Sequence, residues 1–171
     1  GGTYTVTGLP RGFESLDLDY GDYIVSGNTN ENIVKTVLIP ANTVRSNNTL
    51  EIASRFLRVS GNSGNINAKL RISTSSSPSP VTNATQLAQF TVLGITSNWL
   101  QGKRHITVKN ATSATTMFNS TTQAVSDEVA VTNQQTTLAI DWTTNQYLFV
   151  TIQNTNSTDT SSLSYSEIIL I

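Results

Sequence analysis

The chain contains no cysteine, one methionine and one histidine, and only 12% of its 171 residues are charged, against roughly a quarter in an average globular protein. Each shortage removes a class of function. Without cysteine there are no disulfides, no thiolate nucleophile and no zinc–thiolate site, and folding does not depend on an oxidising compartment. His105, the lone histidine, has no second histidine or cysteine to join it at a metal. A net charge of −1 offers no electrostatic footprint for nucleic acid or an anionic membrane surface. No stretch approaches the ~20 consecutive apolar residues of a membrane-spanning helix, so membrane insertion is not expected. No signal-peptide pattern opens the chain, and the leading "GGTYTV" without a methionine suggests a piece of a longer polypeptide or a tagged chain.

Thr, Ser, Asn and Gln take the place of the missing charge and make up roughly two-fifths of the chain, far above average usage. So polar a composition could mean disorder, but disordered chains also lack the β-branched and aromatic runs that recur here. Period-two alternation runs almost throughout and predicts half-buried strands. In "NINAKLRIS", Ile66, Ala68, Leu70 and Ile72 share one face and Asn67, Lys69, Arg71 and Ser73 the other. Further strand candidates are "TYTVT", "DYIVSG", "IVKTVLI", "TLEIASRFLRV", "AQFTVLGI", "RHITVK", "DEVAVT", "TTLAIDW", "YLFVTIQN" and "SYSEIILI". The alternation changes phase in "TLEIASRFLRV", which predicts a bulge or bend between Glu51 and Val59. "RVSGNSGNINAKLRI" reads as a β-hairpin, with Gly61, Asn62, Gly64 and Asn65 supplying its reversal. Pro40 should end a strand or lie at a sheet edge, and "NATQLAQF" could form one helical turn. The expected fold is all-β: an antiparallel, jelly-roll-like sandwich of about ten strands with little helix. Residues 1–31, acidic and glycine-containing, read as a lead-in or neck segment before a sandwich spanning 32–171.

Candidate sites are few. "LDLDYGD" spaces Asp17, Asp19 and Asp22 around a glycine turn, as oxygen ligands for Ca²⁺ would be, although the rest of an EF-hand loop is missing. Alternation alone explains the spacing, with Leu16, Leu18 and Tyr20 turned inward and the aspartates solvated, so no metal or cofactor is expected. Lys103, Arg104 and Lys109 around His105 read as a solvated basic face. A glycosidase would need two close carboxylates from among Glu14, Glu31, Glu51, Asp127, Glu128, Asp141, Asp159 and Glu167. Asp127 and Glu128 are adjacent and would point to opposite faces of a strand, and no motif joins the others, so catalysis is not expected. Trp142 reads as a core plug, while Trp99, in "TSNWLQGK", could present its ring to a sugar. Trp99 and Asp159, the latter in the polar loop "NTNSTDTSS", are the candidate glycan contacts. The closing "EIILI" would be costly in water, by about 1.5–3 kcal/mol per large side chain, so Ile168, Ile169, Leu170 and Ile171 should lie in the sandwich or against another subunit.

"NIVKTVLIPANTVRSNNTLEIASRFLRVSGNSGNINAKLRIS", followed downstream by "LAIDWTTNQYLFVTIQNTNSTDTSSLSYSEIILI", resembles the C-terminal jelly-roll domains of bacteriophage fibre, spike and head-fibre proteins. The likeness lies in the order of elements: a "LIPANT" strand end, a Gly/Asn turn, an "IDWT…QYL" strand and a closing strand. It implies a non-enzymatic homotrimeric domain on the virion surface, in contact with other virion proteins, which decorates the capsid or binds a glycan or protein of the host surface. The ending "EIILI" would then supply subunit contacts. A carbohydrate-binding module of a secreted glycan-active enzyme is the alternative, since it would share the jelly roll, the tryptophans and the polar surface.

Overall fold

The structure, a computed structural model, describes residues 13–61, 63–92, 98–118 and 135–171. The described residues form eleven strands: β1 (Glu14–Asp19), β2 (Tyr23–Val25), β3 (Asn32–Ile39), β4 (Thr49–Ser60), β5 (Ile66–Ser73), β6 (Thr85–Val92), β7 (Trp99–Asn110), β8 (Ala114–Phe118), β9 (Gln135–Leu138), β10 (Gln146–Asn154) and β11 (Thr160–Leu170). One sheet has the order β1-β11-β4-β7-β8-β9, with β2 beside β1 on the same edge of β11; the other has the order β3-β10-β5-β6. All pairings are antiparallel. The chain changes sheet at β2→β3, β3→β4, β4→β5, β6→β7, β9→β10 and β10→β11. Two sheets wound in this way make a jelly roll, which β8 and β9 extend along one side. No α-helix occurs among the described residues; one 3₁₀ turn, Val81–Asn83, precedes β6.

Several local expectations change. The Gly/Asn turn after β4 does not close a hairpin, because β4 and β5 belong to different sheets. Residues Glu14–Val25, expected to precede the sandwich, are β1 and β2 of the larger sheet, so a boundary near Asn32 would cut through the fold. "NATQLAQF" supplies β6, and the helical turn lies just before it. The register irregularities fall at Val59 on β4 and at Ser164 on β11, which faces β4. The segments "TYTVT" and "DEVAVT" lie outside the described residues.

Alternation builds the core. Ile66, Ala68, Leu70 and Ile72 of β5 and Leu148, Val150 and Ile152 of β10 face Leu50, Ile52 and Phe56 of β4 and Ile106 and Val108 of β7, all buried. Phe56 and Phe90 meet across the sandwich with ring centroids 6.4 Å apart. Gly102 makes room for Phe90, because a Cβ at that position would come within 2.6 Å of the ring. Trp142 is buried, and its indole N–H donates to Thr115 Oγ1 at 2.8 Å.

β11 lies between β1/β2 and β4, so both of its edges are hydrogen-bonded. Ile168 and Leu170 point into the core of their own chain at 0% and 4% exposure, which removes them as subunit contacts. Ile169 is half-buried on the outer face, and Ile171 is 44% exposed. The backbone of Ile171 exchanges hydrogen bonds with Thr49 at 2.8 and 3.0 Å. An apolar C-terminal strand is thus accommodated within one chain. Ile168→Ala is expected to lower unfolding stability in urea by about 2–5 kcal/mol through the cavity it leaves. Ile171→Ala should shift it by no more than about 0.5 kcal/mol.

Candidate functional site

The outer face of the seven-stranded sheet carries exposed side chains whose placement follows from strand register. On β4, odd-numbered residues from Glu51 to Leu57 face outward, and on β7 the odd-numbered residues from Trp99 to Thr107 do the same, because the even-numbered ones enter the sandwich. Cross-strand pairing arranges these side chains in rows. The upper row joins Ile24, Ser162, Leu57 and Trp99 across β2, β11, β4 and β7. Ile24 and Trp99 are 63% and 61% exposed, and Ser162 at the centre keeps the row low. At about 4.8 Å between strands, the row is about 15 Å wide.

The next row is Tyr165, Arg55 and Gln101. The Arg55 guanidinium lies 5.8 Å from the Tyr165 ring centroid, and Tyr20 packs on the far side of that ring at 5.4 Å. The Tyr165 hydroxyl donates to Glu167; burial and that carboxylate push the phenol up to about 12, so it remains a protonated donor. Below it lie Leu18, Glu167, Ala53 and Lys103, and then Ser15, Ile169, Glu51 and His105. Glu51 accepts from His105 Nε2 at 2.9 Å and faces Lys103 Nζ at 3.5 Å. Burial raises the Glu51 carboxyl, but these two groups outweigh it and hold it below the ordinary value.

A buried ion pair braces the upper row from behind. Asp159 has no exposed surface, so it cannot touch a ligand as the sequence reading expected. It pairs with Arg58 Nη1 at 3.0 Å and accepts the backbone N–H groups of Ser63 and Gly64 at 3.3 and 2.9 Å. Burial pushes this carboxyl up, while Arg58 and the two N–H donors prevail and keep it below the usual carboxylate range. Gly61, at φ +80°, must be glycine because a Cβ would meet Asp159 Oδ1 at 2.2 Å. The Arg58 N–H also donates to the Asn98 carbonyl at 2.7 Å, fixing the residue before Trp99. Trp99 therefore opens strand β7 rather than lying in a loop.

The acidic cluster reverses its expected orientation. Asp17 and Asp19 converge on Lys35 Nζ at 2.6 and 2.8 Å, while Leu18 and Tyr20 face outward at 50% and 72% exposure. A bulge between Ser15 and Asp17 changes the phase, which leaves Leu16 packed against the core. Lys35, Tyr23 and the Gly21 N–H hold the Asp19 carboxyl far below its ordinary value. An ammonium thus occupies the position a Ca²⁺ ion would need between these carboxylates, and Asp22 stands exposed and apart. Among the described residues no three His, Cys, Asp or Glu side chains cluster as metal ligands would. Arg104, expected on a solvated face, is buried beneath Phe90, whose ring centroid is 5.8 Å from its guanidinium carbon.

The outer face of the smaller sheet is closed by a second network. Glu31 receives Arg71 Nε at 2.6 Å, Arg71 Nη2 at 3.0 Å, Lys69 Nζ at 2.8 Å and the Thr151 hydroxyl at 2.7 Å. Of the carboxylates considered for catalysis, Glu31, Glu51, Asp159 and Glu167 are each held by separate partners, Asp141 caps its own turn at Thr143, and Asp127 and Glu128 lie outside the described residues.

Burial raises the Glu31 carboxyl, but Arg71, Lys69 and Thr151 bring it down from 4.5 to about 2. A folded-state value below the unfolded one stabilises above pH ~4.5 and is lost as pH falls toward 2, here by up to about 3 kcal/mol. Asp159 and Asp19 act in the same sense. Urea midpoints are therefore expected to be flat from pH 7 to 5 and to fall steeply below 4.5, and Glu31→Gln should blunt that fall. Asp159→Asn, which leaves the Arg58 charge buried and unmatched, should lower stability by about 3–5 kcal/mol at pH 7. No family model matches the chain, and no curated protein or solved structure does either, so its function has to be argued from its own residues.

Proposed function

We propose that this domain is a non-enzymatic attachment module of a phage virion, which binds host-surface glycan through the upper rows of the seven-stranded sheet. The exposure of Trp99 carries the reading. A large apolar side chain left in water forgoes about 1.5–3 kcal/mol of burial. Trp99 does so at a position braced by the Arg58–Asn98 hydrogen bond and paired with Leu57. A ring carried on a backbone fixed in this way presents a flat apolar surface to a pyranose. Gln101 and Arg55 beside it supply donors and an acceptor for the hydroxyl groups of the sugar. The uncharged Thr/Ser/Asn surface and the absence of cysteine suit a domain exposed outside cells, in contact with other virion proteins.

The homotrimer implied by the resemblance belongs to the same proposal, with its contacts moved. Ile168 and Leu170 are used within the chain, which leaves Ile169 and Ile171 as the terminal side chains with solvent-facing area. They lie about 20 Å along the strands from the Trp99 row, so assembly and ligand binding do not compete.

Sedimentation at micromolar concentration is expected to show a species three times the 18.4 kDa chain mass; a stable monomer would exclude the trimer. Fluorescently labelled domain should adhere to bacteria of a susceptible strain, and enzymatic removal of their surface polysaccharide should abolish adhesion. Trp99→Ala should weaken adhesion at least about tenfold with little change in melting temperature, since exposed positions contribute little to stability. Adhesion unaffected by Trp99→Ala would remove this face as the binding surface.

A further inference from the structure

We infer that the glycan taken by this face is acidic, and that Arg55 receives the carboxylate of a sugar whose ring rests on Trp99. The inference rests on the glycan-binding reading above and adds the ligand's charge. It starts from how the charges of the face are distributed. Lys103 and His105 are both directed to Glu51, at 3.5 and 2.9 Å, and Glu167 accepts the Tyr165 hydroxyl. Arg55 is exposed, and its contact is the face of the Tyr165 ring. Among the described residues no carboxylate lies within ion-pair distance of it. A cation over a ring still has its N–H fork directed to solvent, and that fork matches a carboxylate with two parallel hydrogen bonds.

Position agrees with charge. Gln101 follows Trp99 by two residues on β7, about 7 Å along the strand and on the same face. Arg55 stands directly opposite Gln101 on β4. A pyranose stacked on the indole therefore places a ring substituent over the Gln101 amide and Arg55. Tyr165, with Tyr20 packed against it, gives the guanidinium a fixed wall on the β11 side and restrains its swing along the sheet. Elsewhere in the chain, cations placed near carboxylates are consumed by them: Lys35 by Asp17 and Asp19, Arg58 by Asp159, Lys69 and Arg71 by Glu31. Among the described residues Arg45, Arg55 and Lys109 have no such carboxylate, and of these Arg55 stands in the row next to Trp99.

The test uses the intact domain and a panel of uronate-containing oligosaccharides from bacterial surface polysaccharides, each matched by its carboxyl-reduced, neutral counterpart. Wild type is expected to bind at least one uronate form about tenfold or more tightly than its reduced partner, with the difference shrinking as salt is raised. Arg55→Gln should bring the pair to equal affinity, Arg55→Lys should retain part of the preference, and Trp99→Ala should weaken both forms. Equal binding of a pair by wild type, or a preference that survives Arg55→Gln, would overturn the acidic assignment and leave glycan binding standing. Binding to no member of the panel by a domain that still adheres to cells through Trp99 would also overturn it. Loss of adhesion from the cell assay itself would remove the reading on which it rests.

Discussion

An ionised group cannot be left alone inside a protein, and this chain, with few charges, meets that constraint by pairing many of them across its interior. Asp159 with Arg58 joins the β10–β11 turn to the end of β4 and the turn that follows it. Glu31 with Lys69, Arg71 and Thr151 joins the segment before β3 to β5 and β10. Lys35 with Asp17 and Asp19 joins β1 to β3, one strand from each sheet. Lys35 joins strands of both sheets, Asp159 sits in the connection that crosses from β10 to β11, and Glu31 sits in the one that crosses from β2 to β3. In a jelly roll the crossing connections are the places where register is least determined by neighbouring strands. The charges therefore lock the path of the winding, while alternation of apolar residues builds the core.

This division of labour shapes the surface. With so much of the charge turned inward, the outside is left to hydroxyls and amides, and an exposed ring or guanidinium stands out against it. The ion pairs also stabilise the outer face at a distance. Arg58 is the residue after Leu57, and its N–H holds Asn98, so the pair that closes one end of the sandwich also sets the row containing Trp99. The backbone of that row is thus supported from the end of β4.

The layered all-β architecture was legible in the sequence because alternation is a local property. Ile66, Ala68, Leu70 and Ile72 declare their shared face without reference to any other strand. The sheet to which each strand belongs was not legible. The Gly/Asn segment after β4 has the residues of a hairpin, yet it leads into the other sheet, and Asp159, far away in sequence, takes the N–H groups of Ser63 and Gly64. Asp159 looked like part of a solvated polar loop for the same reason: its partner Arg58 is distant in the chain. Asp17 and Asp19 misled through a single bulge, which inverted the faces of β1 and carried Leu18 and Tyr20 outward. Trp99 was picked out by its residue type, whereas Arg55, Leu57, Gln101 and Tyr165 emerge as its neighbours only once three strands are set in register.

The placement of β1 has a mechanical consequence. Glu14 pairs with Leu170, so β1 begins at the end of the sheet where β11 finishes, while the Trp99 row lies toward the other end of the strands. A pull between the residues preceding Glu14 and a ligand held at Trp99 would run along the strand axes. Hydrogen bonds between β1 and β11 would then be loaded together in shear, rather than opened one at a time from an end. Under tension the lifetime of a fold is governed by its unfolding rate, and shear raises the force needed to increase that rate. A strand loaded in shear in this way resists force better than one peeled from its end.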